Sequence, residues 1–193
     1  ERTRRTVRSA LDATAAAVGN TAIDNGYWDD AARRLYGTVN VKWLSETFAS
    51  STSDGTNYDA VLVVDPAKPT ALGGFRRGEA FTPLVDIYFS GHFGELVGDF
   101  SQAVAFQNPR SAIINTADGL AFVGAAVVAP TSEGVTVAGS TPRYIVFVRY
   151  LTPDLLTAMG EQYLVPDLAL AGSSTGGSEV IQDIAHDPVA SLT

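Results

Sequence analysis

Apolar residues recur at spacings of three and four between Arg2 and about Asp24, where Val7, Leu11, Ala15, Val18 and Ala22 form a narrow stripe on an alanine-rich helix. A stripe this narrow suits either a brace lying along the domain or a seam shared with a second copy. Ala13, Ala16 and Ala17 permit close approach in both cases. Asn25-Gly26 predicts a turn, after which the helical pattern restarts, with Asp29 and Asp30 in its first turn. The positive end of the helix dipole stabilises carboxylates there. Adjacent helical residues point about 100° apart, so the two acids do not face a common atom, but Asp29 lies beside the aromatic face and could meet a ligand amine or a buried partner. A further helix is predicted from Asn40 to Ser50, with Val41, Leu44 and Phe48 on one side.

The pattern then changes period. Tyr58 to Asp65 contains AVLVV, a continuous apolar run that predicts a strand covered on both faces, and Leu72 to Arg76 is its hairpin partner across the Asp65-Pro66 turn. Pro83 opens a glycine-weakened helical stretch from Leu84 to Ala105, with a break expected near Ser90-Gly91. Three strands follow at Ser111–Thr116, Leu120–Ala129 and Arg143–Tyr150, the first two joined through Ala117-Asp118-Gly119. Thr152-Pro153-Asp154 combines an N-cap, a proline at the first helical position and an acid in the first turn, and so starts another helix. Short strands are expected at Asp167–Ala171 and Glu179–Ile184 around the loop GSSTGGS, with a third at Val189–Leu192. This order is α+β: a long N-terminal helix and an antiparallel sheet of about five strands with flanking helices, read as one domain over residues 1–193. Within it, residues 1–24 form the long helix, 25–165 the core and 166–193 the C-terminal strands.

Composition narrows the function classes. A net charge of -8 argues against nucleic acid, whose recognition depends on clustered Lys and Arg. The absence of cysteine excludes disulfides, thiolate metal sites and thiol nucleophiles. The two histidines, His92 and His186, are far apart, and the spacing of His92 and Glu95 favours a surface hydrogen bond over a metal site. No nucleophile elbow or catalytic triad pattern is present, the glycine-rich loop lacks a phosphate-binding lysine, and no cofactor is implied. Arg149, the one charge in the apolar strand YIVFVRY, must be paired by a structural carboxylate or by an anionic ligand. The first eight residues hold four arginines, which read either as a juxtamembrane boundary or as solvated first turns. The chain reads as a piece of a longer protein.

The segments WDDAARRLY, VNVKWLSETF, YDAVLVVDP, GLAFVGAAVVAP, RYIVFVRYLTPDLL and GEQYLVPDLAL, in this order and spacing, resemble the landmarks of type-four CHASE sensor domains, a Cache-like extracytoplasmic family. The resemblance runs from about residue 5 to the last residue. It implies a PAS-like sheet behind the long helix and an extracytoplasmic position between two transmembrane helices. It also implies control of a cytoplasmic output such as cyclic-di-GMP synthesis or degradation, or a histidine kinase. Ala31-Ala32 stands where an aromatic often follows the acid pair in relatives, and residues 67–70 lack the usual glycine-bearing turn. From the motif, Trp28 and Asp29 are candidate ligand contacts. Tyr36, Phe75, Phe122, Tyr144 and Arg149 join them from their positions in the predicted elements. The expected partners are an unknown small molecule or ion and a second copy bound through the N-terminal helix. The rival expectation is an interaction or dimerisation scaffold without a ligand.

Overall fold

A computed structural model describes residues 2–98, 110–139, 141–165, 167–171, 179–182 and 188–192. Helix α1 spans Arg2–Gly26, α2 Asp29–Leu35, α3 Val41–Leu44 and α4 Ser50–Asp54, the last two joined through a π-helical turn at Ser45–Ala49. Strands β1 (Ala60–Val64), β2 (Gly73–Arg76) and β3 (Glu79–Ala80) precede the short helices α5 (Val85–Tyr88) and α6 (Phe93–Val97). Then come β4 (Arg110–Thr116), β5 (Gly119–Val127), β6 (Tyr144–Tyr150) and α7 (Pro153–Tyr163). The chain closes with β7 (Leu170–Ala171), β8 (Glu179–Gln182) and β9 (Pro188–Leu192).

One six-stranded sheet, ordered β3-β2-β1-β6-β5-β4, is antiparallel at every pairing. The two-residue edge strand β3 is the addition to the five strands expected. All five residues of β1 are 0% exposed, as a continuous apolar run requires when both faces are covered. On one face Val61, Val63, Phe75, Phe122, Ile145 and Phe147 form a core with α1, α2, the α3–α4 segment and α7. On the other, Leu62, Val123, Val146 and Val148 pack with Val85, Tyr88, Phe89 and Phe93 of the α5–α6 layer.

The stripe of α1 is spent on the sheet: Val7, Leu11, Val18 and Ala22 are buried, and the helix packs against β4, β5 and β6. It is therefore a brace. Its contact with β5 is unusually close, because a Cβ on residue 124 would lie 2.5 Å from the Val18 carbonyl oxygen and 2.7 Å from the Gly19 nitrogen. Glycine at 124 lets helix backbone rest directly on strand backbone.

Asn25-Gly26 does not turn the chain. The helix continues through both residues, and Asn25 Nδ2 donates to the Thr21 carbonyl 2.8 Å away, one turn back. Gly26 is needed for proximity, since a Cβ there would meet the Val127 carbonyl oxygen at 3.0 Å. The break falls one residue later. Tyr27 bridges Ala129, and Trp28 is extended at φ -156°, ψ 134°.

The expected break in the Leu84–Ala105 stretch is present, with α5 and α6 separated at Phe89–His92. The remainder of that stretch, residues 99–105, lies outside the described residues, as do His186 and the loop at 172–178. The third helix outruns its expected end at Ser50 and continues to Asp54. At the C-terminus β7 and β8 do not form a hairpin with each other. Both pair antiparallel with β9, which sits between them. Pairing order among two- to five-residue strands depends on which edges meet in space, and composition does not encode it.

Candidate functional site

The corner between α1 and α2 is held by backbone and carboxylate together. Trp28 N donates to the Ala129 carbonyl at 3.0 Å, and Ala129 N donates to the Gly26 carbonyl at 3.0 Å. Asp29 Oδ1 accepts from Thr131 N at 2.8 Å, Thr131 Oγ1 at 3.1 Å and Ser132 N at 3.0 Å, while Oδ2 accepts from Ser132 Oγ at 2.5 Å. These bonds, led by those from Ser132, hold the carboxyl down at about 2. Four donors from the β5–β6 connection thus occupy Asp29, and its role in the fold is to fasten that connection to α2. Asp30 instead faces Arg33 at 3.4 Å on the surface.

Because the folded-state value is depressed, Asp29 contributes stability above its ordinary value of 3.8, and that contribution is lost as pH falls toward about 2. Chemical denaturation of the wild type and of Asp29→Asn between those two pH values is expected to show the steeper loss in the wild type. Parallel curves would remove Asp29 from the fastening role.

Trp28 is partly buried and starts an aromatic chain. Its ring centroid lies 5.4 Å from Trp43, Trp43 lies 5.9 Å from Phe48, Phe48 lies 5.6 Å from Phe147, and Phe147 lies 4.7 Å from Tyr58. Tyr36 is buried beside this chain. Its hydroxyl donates to the Val128 carbonyl at 2.8 Å and accepts from Arg143 N at 3.2 Å, and burial raises its pKa. Phe75 and Phe122 belong to the same core. Tyr144 does not: it packs on the opposite face, 6.0 Å from Phe93. The strand period of two separates residues 144 and 149, and that parity was available in the sequence.

Arg149 faces the α1 side of the sheet, cross-strand from Phe122, and lines a cleft of about 430 Å³. One wall is the segment Asp54–Asp59, which carries the chain from α4 into β1; the other is the start of α7, from Thr152 to Ala158. Local chemistry shapes both walls. Gly55, at φ 63°, ends α4 in the left-handed conformation, and Asp54 Oδ1 accepts from Thr56 N at 2.9 Å. Asp59 Oδ2 accepts from Tyr150 N at 2.8 Å, tying the first wall to β6, and Thr152 Oγ1 caps α7 by accepting from Leu155 N at 3.2 Å.

Burial raises the Asp59 carboxyl, against the pull of the Tyr150 N–H and of Arg77 and Arg149, and burial lowers the Arg149 guanidinium, against the pull of Asp59. Asp59 acts on Arg149 through space. Among the described residues the Arg149 guanidinium donates no hydrogen bond and forms no close ion pair. The structural carboxylate expected for this arginine is thus nearby but not bonded to it.

Two arrangements escaped sequence reasoning. Arg143 Nη1 donates to the carbonyls of Leu35 and Gly37, both at 2.7 Å, and so caps the C-terminal end of α2. On the other face, the Tyr88 and Tyr150 hydroxyls are 2.6 Å apart, Tyr150 Oη donates to Asp118 Oδ2 at 2.9 Å, and Arg76 Nη1 donates to the same oxygen at 2.5 Å. Since Tyr150 gives its proton to Asp118, Tyr88 must donate to Tyr150. Burial pushes Tyr88 up to about 12 and Tyr150 higher still, so both hydroxyls stay protonated donors. His92 Nδ1 and Glu95 Oε1 are 3.1 Å apart, the surface hydrogen bond expected of them.

A long helix is laid across an antiparallel sheet with a charged cleft at the end of β6, and no metal-binding cluster occurs among the described residues. Residues 10–171 match the CHASE4 domain, and the chain belongs to that family of extracytoplasmic sensor domains of membrane receptors. No curated protein matches the chain. No helix among the described residues is long and apolar enough to cross a membrane.

Proposed function

We propose that the chain is the ligand-reading part of a membrane receptor, with a small molecule held in the Arg149 cleft as its signal. The observation that carries this reading is the partly buried guanidinium of Arg149, without a hydrogen bond among the described residues, at the floor of a cleft whose walls belong to different elements. Partial burial of a cation without a hydrogen-bond acceptor carries a desolvation cost, and a ligand acceptor would offset it. Closing the cleft would draw the start of α7 toward the Asp54–Asp59 segment. Since α7 packs against α1, the long helix would feel the movement. A ligand shifts such an equilibrium only by its differential affinity for the two states, so the open and closed positions of α7 must bind it differently.

The receptor's cytoplasmic output would be cyclic-di-GMP synthesis or degradation, or a histidine kinase. A homodimer through α1 would use its exposed face of small and polar residues, including Asp12, Ala13, Ala17 and Asn20, because the apolar stripe already lies on the sheet. The packed aromatic chain from Trp28 to Tyr58 favours a second reading, a scaffold that needs no ligand.

A thermal-shift and calorimetric screen separates the two readings. A ligand at a hundred times its Kd stabilises a folded domain by about 2.7 kcal/mol. The shift is expected in the wild type and in Asp29→Ala, whose carboxylate serves the fold, and is expected to vanish in Arg149→Ala. A broad library that stabilises none of the three would favour the scaffold.

A further inference from the structure

We infer that the cleft selects a small zwitterion, with its carboxylate on Arg149 and its ammonium toward Asp54 and Asp154. This rests on the cleft being the ligand site, as proposed above, and adds the ligand's chemical class.

Asp54, Asp59 and Asp154 bring three negative charges to the lining, and Arg149 brings one positive, so the site carries a net charge of -2 (1 − 3). A simple anion would find its socket at Arg149 but would enter against that surplus. A simple cation would satisfy the surplus and leave the guanidinium without an acceptor. The carboxylates do not gather into a metal-binding cluster among the described residues, so a point cation gains little from the set as a whole. Both signs of charge line the same cleft, and a small molecule that carries both charges matches it.

The partners already made divide the labour between these groups. Asp59 is engaged by Tyr150 N and is the carboxylate that acts on Arg149, so it belongs to the floor. Asp54 Oδ1 accepts from Thr56 N, and Oδ2 has no hydrogen bond among the described residues. Asp154 stands in the first turn of α7, whose capping position is already filled by the Thr152 hydroxyl. The guanidinium supplies a planar fork suited to a carboxylate. Leu155 and Ala158 present the apolar surface along which a short methylene chain would lie.

The test titrates the 193-residue domain with glycine, 4-aminobutyrate and 6-aminohexanoate, and with butyrate and butylamine as single-charge controls. At least one zwitterion is expected to bind about tenfold or more tightly than either control, the worth of one charge-assisted hydrogen bond. Arg149→Gln is expected to weaken that zwitterion by about ten- to hundredfold and to leave butylamine unchanged. Asp154→Asn, an exposed change that does not threaten folding, is expected to weaken both the zwitterion and butylamine. Butylamine or butyrate binding as tightly as every zwitterion would overturn the inference and leave the sensing role intact. Failure of all five compounds would overturn it as well, while the sensing role is judged separately by the library screen with Arg149→Ala.

Discussion

Replacing Gly124 with alanine is expected to cost about 3 kcal/mol, at the upper end of what overpacking removes, and to lower the melting temperature by roughly 6–12 °C for a domain of this size. The new methyl would sit 2.5 Å from the Val18 carbonyl oxygen and 2.6 Å from its carbon. Real Cβ atoms do not approach backbone so closely. Neither obstacle is a flexible side-chain end, so α1 has to lift from β5 along the line of its buried stripe. Gly94→Ala is the matched control: a Cβ there meets nothing within 4 Å, and the residue lies in α6. It is expected to be neutral or to gain up to about 1 kcal/mol from the loss of backbone freedom in the unfolded chain. If thermal denaturation gives the two variants equal stability, the helix is not seated on the strand as described.

Phe147→Ala is expected to cost about 3–5 kcal/mol, the range for deleting a fully buried aromatic ring. Phe147 is 0% exposed and is the cross-strand neighbour of Gly124, so a large residue and an absent side chain stand side by side under the helices. Its ring lies between Phe48 and Tyr58 in edge-to-face contacts, which add to the transfer and cavity costs. Phe147→Leu keeps most of the volume and is expected to recover more than half of the loss. The loss should be larger than that for Phe75→Ala at the sheet's margin, where the ring is 7% exposed. Urea denaturation gives both comparisons, and a cost below about 1 kcal/mol for Phe147→Ala would contradict the packing.

The strands and main helices of this fold are legible in the chain because their signals are periodic and local. The apolar run at Ala60–Val64 and the capping sequence at Thr152-Pro153 needed no distant information. The π-turn at Ser45–Ala49 and the two-residue β3 are too brief to leave a pattern. Arg149 could be singled out because a charge inside YIVFVRY is conspicuous whatever surrounds it. Asp29 was also conspicuous, but its partners Thr131 and Ser132 lie 102 and 103 residues away and carry no motif. A carboxylate poised for a ligand and one already filled by donors look alike in a sequence. The Tyr88–Tyr150 pair, 62 residues apart, was invisible for the same reason.

The backbone contacts at Gly124 and Gly26 clamp α1 at two points near its C-terminal end. From Val18 back to Arg2 about 24 Å of shaft, at 1.5 Å per residue, is held instead by side-chain packing at Val7, Ala10 and Leu11. Backbone contact resists rolling and sliding more than side-chain packing does, so the helix yields more readily toward its N-terminal end than at the clamp. If α7 moves on ligand binding as proposed, the arginine-rich end of α1 is expected to shift sideways more than along its axis.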